Sequence, residues 1–233
     1  MSVGIIGAGR MGRVLAGILA QQHTLYLFDR DETKLRQVAG ETGAVAAESL
    51  EDIVRQQRVI LAVPDREVIS CIKALNEQKQ PVQVIHIATN VTQRVVEQMQ
   101  ASHVQCIGAK IIGHADEMTM GQRPVIIVNE QPASLAAIAE ELFSSVGQVI
   151  RGNADIVAVI NTIVAEKALE AAVHIEDALH SQDIKDPLIL QSAIKQVGAG
   201  ILKAYADGNL GPFAREVVQS VKAKRSRQEL SSR

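Results

Sequence analysis

Three glycines at fixed spacing carry the first chemistry in this chain. Gly7-Ala8-Gly9-Arg10-Met11-Gly12 follows the apolar run Val3-Gly4-Ile5-Ile6 and precedes Val14, Leu15, Ile18 and Leu19, which recur at helical spacing. A strand that turns through glycines into a helix leaves free backbone N–H groups at the turn, where they hold an anion. In that context Gly7 turns the chain tightly, Gly9 lets a diphosphate approach the backbone, and Gly12 lets helix and strand pack closely. A second apolar run, Leu25-Tyr26-Leu27-Phe28, ends at Asp29, about 20 residues after the glycines, where an acid reads a ribose 2′-hydroxyl. The pattern is that of a nicotinamide dinucleotide site. A carboxylate there repels a 2′-phosphate and favours NAD. Arg30 beside it is able to pair with that phosphate, which leaves NADP open. Asp29 also fits a helix cap or turn residue.

The expected cofactor residues are therefore Gly7, Ala8, Gly9, Arg10, Met11, Gly12, Asp29 and Arg30, joined by the ends of two later strands. Ala62-Val63-Pro64-Asp65 ends one and His86-Ile87-Ala88-Thr89-Asn90 the next. Strand ends of this kind open onto the ligand crevice, which puts Ala62, Val63, Pro64 and Ala88 beside the ribose and nicotinamide. His86 reads equally as a core histidine with a backbone partner.

A hydride acceptor also needs a proton donor within hydrogen-bond reach. Lys110 and His114, read as following a sixth strand, are one source; Asn161, Thr162, Glu166 and Lys167 on a long helix are the other. Asn is a poor mid-helix residue, and imidazole titrates in a range suited to acid–base work. Three have a plainer reading: a surface His114, a solvated Glu166, and a Lys167 that snorkels from an apolar stripe or forms a salt bridge. His174 and His180 lack the i, i+4 spacing of a helical zinc pair, and no metal site is expected.

The elements that must position these groups alternate. Strands are expected over 3–6, 25–28, 44–46, 59–63, 82–87, 104–107, 124–128 and 146–150. Helices are expected after the glycines and over 31–41, 49–55, 66–75, 92–99 and 132–143. Ser49 with Asp52 makes a cap. Strands apolar on both sides, alternating with helices, imply a mostly parallel, doubly wound sheet covered on both faces, here an α/β Rossmann domain over residues 1–150. Residues 151–233 change character. From Asp155 to His180 there is neither Pro nor Gly, and the helical period predicts about seven turns. Pro187 and Pro212 start two further helices. So small a helical part cannot bury its own apolar stripe, which implies a homodimer through the C-terminal helices. The basic run 222–227 reads as a solvated helix end.

Composition narrows the function. The chain has 233 residues, is 47% hydrophobic and carries a net charge of −2, which gives no electrostatic basis for binding nucleic acid or an anionic membrane. Aromatics are 2%, too few for base stacking. No run reaches the roughly 20 apolar residues of a membrane span, and no leader pattern precedes Val3. Cys71 and Cys106 form no CxxC and are expected as buried thiols of a cytoplasmic protein.

With these residues in place, the chain resembles the pyrroline-5-carboxylate reductase branch of the 6-phosphogluconate-dehydrogenase-like proteins. The resemblance rests on residues 4–12, on Ala62-Val63-Pro64-Asp65, and on residues 191–203 followed by Gly208 and Pro212. It implies a Rossmann domain, a helical domain that interlocks with a second subunit, and hydride transfer to a C=N or C=O bond. It also implies that the 110–115 loop and Asn161 with Thr162 face substrate. Three substrate motifs differ. Ile111-Ile112-Gly113-His114-Ala115 stands where that family has Met-Pro-Asn-Thr-Pro. Residues 161–166 stand where it has Gly-Ser-Gly-Pro-Ala-Tyr. Its late Ser-Pro-Gly-Gly-Thr-Thr is missing. These departures point to a different substrate or to lost catalysis. The expected function is an NAD(P)-dependent oxidoreductase acting on a small imine, keto acid or hydroxy acid. The alternatives are a weakly catalytic NAD(P)-binding sensor or regulator, and a structural helical dimer module.

Overall fold

The computed structural model describes residues 2–231, apart from the side chains of 225 and 229–231. It forms two compact units, one through Ile163 and one from Val164 onward. In the first, an eight-stranded sheet runs in the order β3-β2-β1-β4-β5-β6-β7-β8. The strands are β1 (Ser2–Ile6), β2 (Thr24–Phe28), β3 (Val45–Ala46), β4 (Arg58–Leu61), β5 (Val82–His86), β6 (Val104–Ile112), β7 (Val125–Val128) and β8 (Gln148–Arg151). The helices between them are α1 (Arg10–Leu19), α2 (Glu32–Thr42), α3 (Leu50–Val54), α4 (Asp65–Glu77), α5 (Gln93–Met99), α6 (Ala115–Thr119) and α7 (Ala133–Phe143).

Alternate side chains of one strand feed opposite faces, which explains the unbroken apolar runs. Val3, Ile5, Ile60, Ile85 and Ile107 pack with Leu15, Leu35, Met118 and Leu135. Their neighbours Ile6, Val59, Leu61, Val84 and Cys106 pack with Ile53, Val68, Ile72 and Val96. Truncating one such residue, Ile60 for example, costs about 2–5 kcal/mol. Ser49 and Asp52 form a full capping box on α3.

Parallel pairing holds from β3 to β6, but β7 runs antiparallel to β6, with Ala109 opposite Val128 and Ile112 opposite Val125. The chain between them turns back through the short α6 instead of crossing over the sheet, so the direction reverses. The sixth strand is longer than the 104–107 expected. It continues through Lys110 to Ile112, because Ala109, Lys110 and Ile111 are all buried and find a second ladder partner in β7.

The long helix α8 (Ile156–Ser181) begins in the first unit, where Ala154 and Val157 are buried beside Ile127. The first unit thus extends past residue 150, the break expected from sequence. The second unit continues α8 and adds α9 (Pro187–Ser192), a π-helical turn over Ala193–Gly198, α10 (Ala199–Ala206) and α11 (Pro212–Ser231). Pro187 and Pro212 start helices as expected; the π turn and α10 between them were not foreseen. Leu169, Val173, Leu188, Ile201, Leu202 and Phe213 are all more than half exposed. Lys222, Lys224 and Arg227 are exposed, and the side chain of Arg225 lies outside the described residues. Among the described residues no helix is long and apolar enough to cross a membrane.

Candidate dinucleotide and substrate site

The turn between β1 and α1 is built around absent side chains. Gly7 has φ +110°, and a Cβ there would lie 2.4 Å from the Ala62 carbonyl oxygen. A Cβ on Gly12 would lie 1.9 Å from the Gly7 oxygen. At Gly9, the N-cap of α1, a Cβ would meet nothing within 4 Å. The first two glycines let the turn close; the third leaves a space open over the helix start. No side chain caps α1 and no acid sits in its first turn, so its N–H groups remain directed at an incoming anion. These N–H groups form a cradle that could hold a diphosphate.

Asp29 closes the cradle from the β2 side. Its Oδ2 accepts a hydrogen bond from Ala8 N at 2.7 Å, and its Oδ1 accepts one from Asp31 N at 3.0 Å. The cap of α2 is Asp31, which accepts from Lys34 N. Asp29 is therefore no helix cap; it is a turn residue that accepts from the amide two positions on, and it also braces the glycine loop. Each of its oxygens keeps a lone pair for a ribose hydroxyl.

Two cavities meet at Gly9, where the chain order reverses at the carboxyl ends of β1 and β4, the place such sheets bind ligands. The first, about 520 Å³, is lined by Gly7, Gly9, Asp29, Arg30, Val63, Pro64 and a face of α4 formed by Glu67, Ser70, Cys71 and Ala74. The second, about 460 Å³, is lined by Gly9, Arg10, Met11, Ala62, Val63, Pro64, Ala88, Ile111, His114 and Asn161. They share Gly9, Ala62, Val63 and Pro64, so they form one crevice with a half beside β2 and a second half beside β5 and β6. Asp65 Oδ2 accepts from both Asn90 N (3.1 Å) and Asn90 Nδ2 (2.7 Å), tying together the two strand exits that roof the second half.

The chain matches the family model for the NAD binding domain of 6-phosphogluconate dehydrogenase over residues 2–152. It belongs to this family. A glycerol-3-phosphate dehydrogenase [NAD(P)+] of Halalkalibacterium halodurans is 23% identical over 182 residues; the match covers 68% of this chain and 53% of that one. The chain thus spans about half the length of that curated relative. Among solved structures, a pyrroline-5-carboxylate reductase from Coxiella burnetii superposes with TM-score 0.70 at 15% identity, over 99% of this chain and 90% of that one. A variant imine reductase from Myxococcus stipitatus in complex with NAD+ superposes with TM-score 0.64 at 16% identity, over 96% and 77%. Identities this low show the shared fold. The domain binds a nicotinamide dinucleotide, NAD or NADP.

The four candidates for catalysis fare differently. His114 is exposed at the N-cap of α6, lines the second cavity, and has Nδ1 3.8 Å from Asp116 Oδ2. Asn161 lines the same cavity, and its Nδ2 donates to the Ile111 carbonyl at 3.2 Å. Lys110 is not in a loop. It lies within β6, 1% exposed, with Nζ 2.6 Å from Asp155 Oδ1, and it lines neither half of the crevice. The reason is the extra length of β6, which turns position 110 inward. Lys167 belongs to the second unit, two-thirds exposed, and pairs with Glu170 at 2.7 Å.

Several residues escaped the sequence reading. Glu67, Ser70, Cys71 and Ala74 sit at i, i+3, i+4 and i+7, so a polar and small stripe on α4 was the available signal. Cys71, expected as a buried thiol, is half-buried: it packs against the second core cluster and also lines the cavity, and burial raises its thiol pKa. Cys106 is buried, and its thiol is pushed up to about 12. A polar network also crosses the sheet. The Gln93 side chain accepts from Gly108 N and Asn129 Nδ2, Asn129 Oδ1 accepts from Ala154 N, and Asp155 accepts from Gln93 N and Lys110 Nζ. Nothing in the sequence spacing connects these positions. His86 lies beside them, fully buried, with neither ring nitrogen hydrogen-bonded. It is a core histidine, as one reading held, but without the expected partner. Burial, and secondarily the Lys110 charge, lower its pKa to about 4; Asp155 and Asp65 act weakly the other way.

Proposed function

We propose that the chain is an NAD-preferring oxidoreductase that transfers a hydride between the nicotinamide and a small imine, keto acid or hydroxy acid. The observation that carries this is the crevice itself: the open cradle at Gly9 leads into a cavity that also presents His114 and Asn161. The bound coenzyme would supply or accept the hydride; the protein supplies position and protons. Gly7, Gly9 and Gly12 with the α1 N-terminus would hold the diphosphate, and Asp29 the adenosine ribose. Ala62, Val63, Pro64 and Ala88 form the largely apolar wall of the second half. His114 is the proton donor to the substrate heteroatom. Asn161, held by the Ile111 carbonyl, orients the substrate from α8. Lys110 is structural.

The exposed apolar faces of the second unit support a homodimer. Two unpaired cysteines fit a reducing compartment such as the cytoplasm.

The test is absorbance at 340 nm across a panel of cyclic imines, keto acids and hydroxy acids, with wild type and His114→Ala. Turnover by wild type that falls at least about a hundredfold in the variant supports the assignment. Two observations favour a second reading, a redox sensor: His114 is exposed, and the Asn161 amide is already engaged. A protein that binds NADH but turns over no member of the panel fits the sensor.

A further inference from the structure

The half of the crevice beside β2, where the proposed function puts the adenosine, contains two cations, and each is already engaged. Lys34 Nζ lies 3.8 Å from Asp29 Oδ2. The Arg30 guanidinium is hydrogen-bonded and ion-paired to Glu67 Oε2, which comes from the first turn of α4. Glu67 is 27% exposed at its side chain and Arg30 75%. The carboxylate is thus the anchored partner, and the guanidinium reaches across to it. Both line the cavity together with Asp29 and Asp31.

NADP differs from NAD at this end by a 2′-phosphate that carries between one and two negative charges and accepts several strong hydrogen bonds. A planar, forked guanidinium is the side chain best shaped to take it; a lysine acts only as a point charge. Arg30 stands next to the ribose-reading acid, where such an arginine belongs. We propose that Glu67 is a specificity-determining residue that holds this site to NAD. By occupying the Arg30 guanidinium it withdraws the group that would bind a 2′-phosphate. This rests on the NAD-preferring reading above and assigns to a residue of α4, on the far side of the cavity from β2, a part in making the choice.

The experiment is calorimetric titration of the full chain with NADH and with NADPH, for wild type, Glu67→Gln, Arg30→Met and the double variant. In Glu67→Gln the ratio of the NADPH Kd to the NADH Kd falls about tenfold, equivalent to about 1.4 kcal/mol. In the double variant that gain disappears, because the freed guanidinium is gone. A ratio in Glu67→Gln within twofold of wild type overturns the proposal, as does a gain that survives removal of Arg30. Wild type that binds both coenzymes but prefers NADPH overturns the preference on which it rests. Wild type that binds neither overturns the dinucleotide reading itself.

Discussion

Lowering the pH from 7 towards 4 asks the buried His86 to accept a proton that the folded protein resists. Its ring is fully buried, neither nitrogen has a hydrogen-bond partner, and the Lys110 ammonium adds to the resistance. The Asp155 and Asp65 carboxylates offset part of this. Its pKa is about 4 in the folded state against an ordinary 6.5. The unfolded chain therefore binds more protons than the folded one between those values, and stability rises with pH across that window. The contribution is fully present above about pH 6.5 and is lost as the pH falls through 6.5 towards 4. At about 1.4 kcal/mol per pH unit it amounts to about 3 kcal/mol. Urea unfolding at half-unit steps from pH 4 to pH 8 measures it, with His86→Gln as reference. His23, also lowered chiefly by burial, titrates in both proteins, so the difference between them isolates His86. Wild type should lose about 3 kcal/mol relative to the variant between pH 6.5 and pH 4. A difference that stays flat over that range would refute the claim that His86 is buried neutral.

Three further outcomes are expected. Gly12→Ala places a Cβ 1.9 Å from the Gly7 oxygen, which only a backbone shift relieves; NADH affinity, read by fluorescence titration, should fall at least about tenfold. Asp155→Ala strands the Lys110 charge, 1% exposed, and should cost about 3–5 kcal/mol in urea unfolding. Lys110→Met keeps most of the volume and removes the buried charge, so it should cost less; the reverse order would count against a structural Lys110. Sedimentation velocity should show a dimer, and Leu202→Asp, on the exposed face of α10, should shift it towards monomer.

The sequence alone specified most of the fold because its signals are local. The glycine turn, the apolar runs of the strands and the prolines at the helix starts depend on residues within a few positions of one another. The Ser49–Asp52 capping box and the seven-turn helix are of the same kind. The cofactor cradle was legible for the same reason, since Gly7, Gly9 and Gly12 act through their own backbone. The substrate side was not. Lys110 and His114 are four positions apart and look equivalent in sequence. One is buried on Asp155 and the other is exposed at the cavity because β6 extends to pair antiparallel with β7. Likewise, the engagement of Arg30 by Glu67, 37 residues away, and the unpartnered burial of His86 come from elements meeting across the sheet. Such long-range contacts are set by packing and have no period in the chain. Composition and spacing therefore determined that a dinucleotide-binding α/β domain forms; only the tertiary structure decided which of its polar side chains face the crevice.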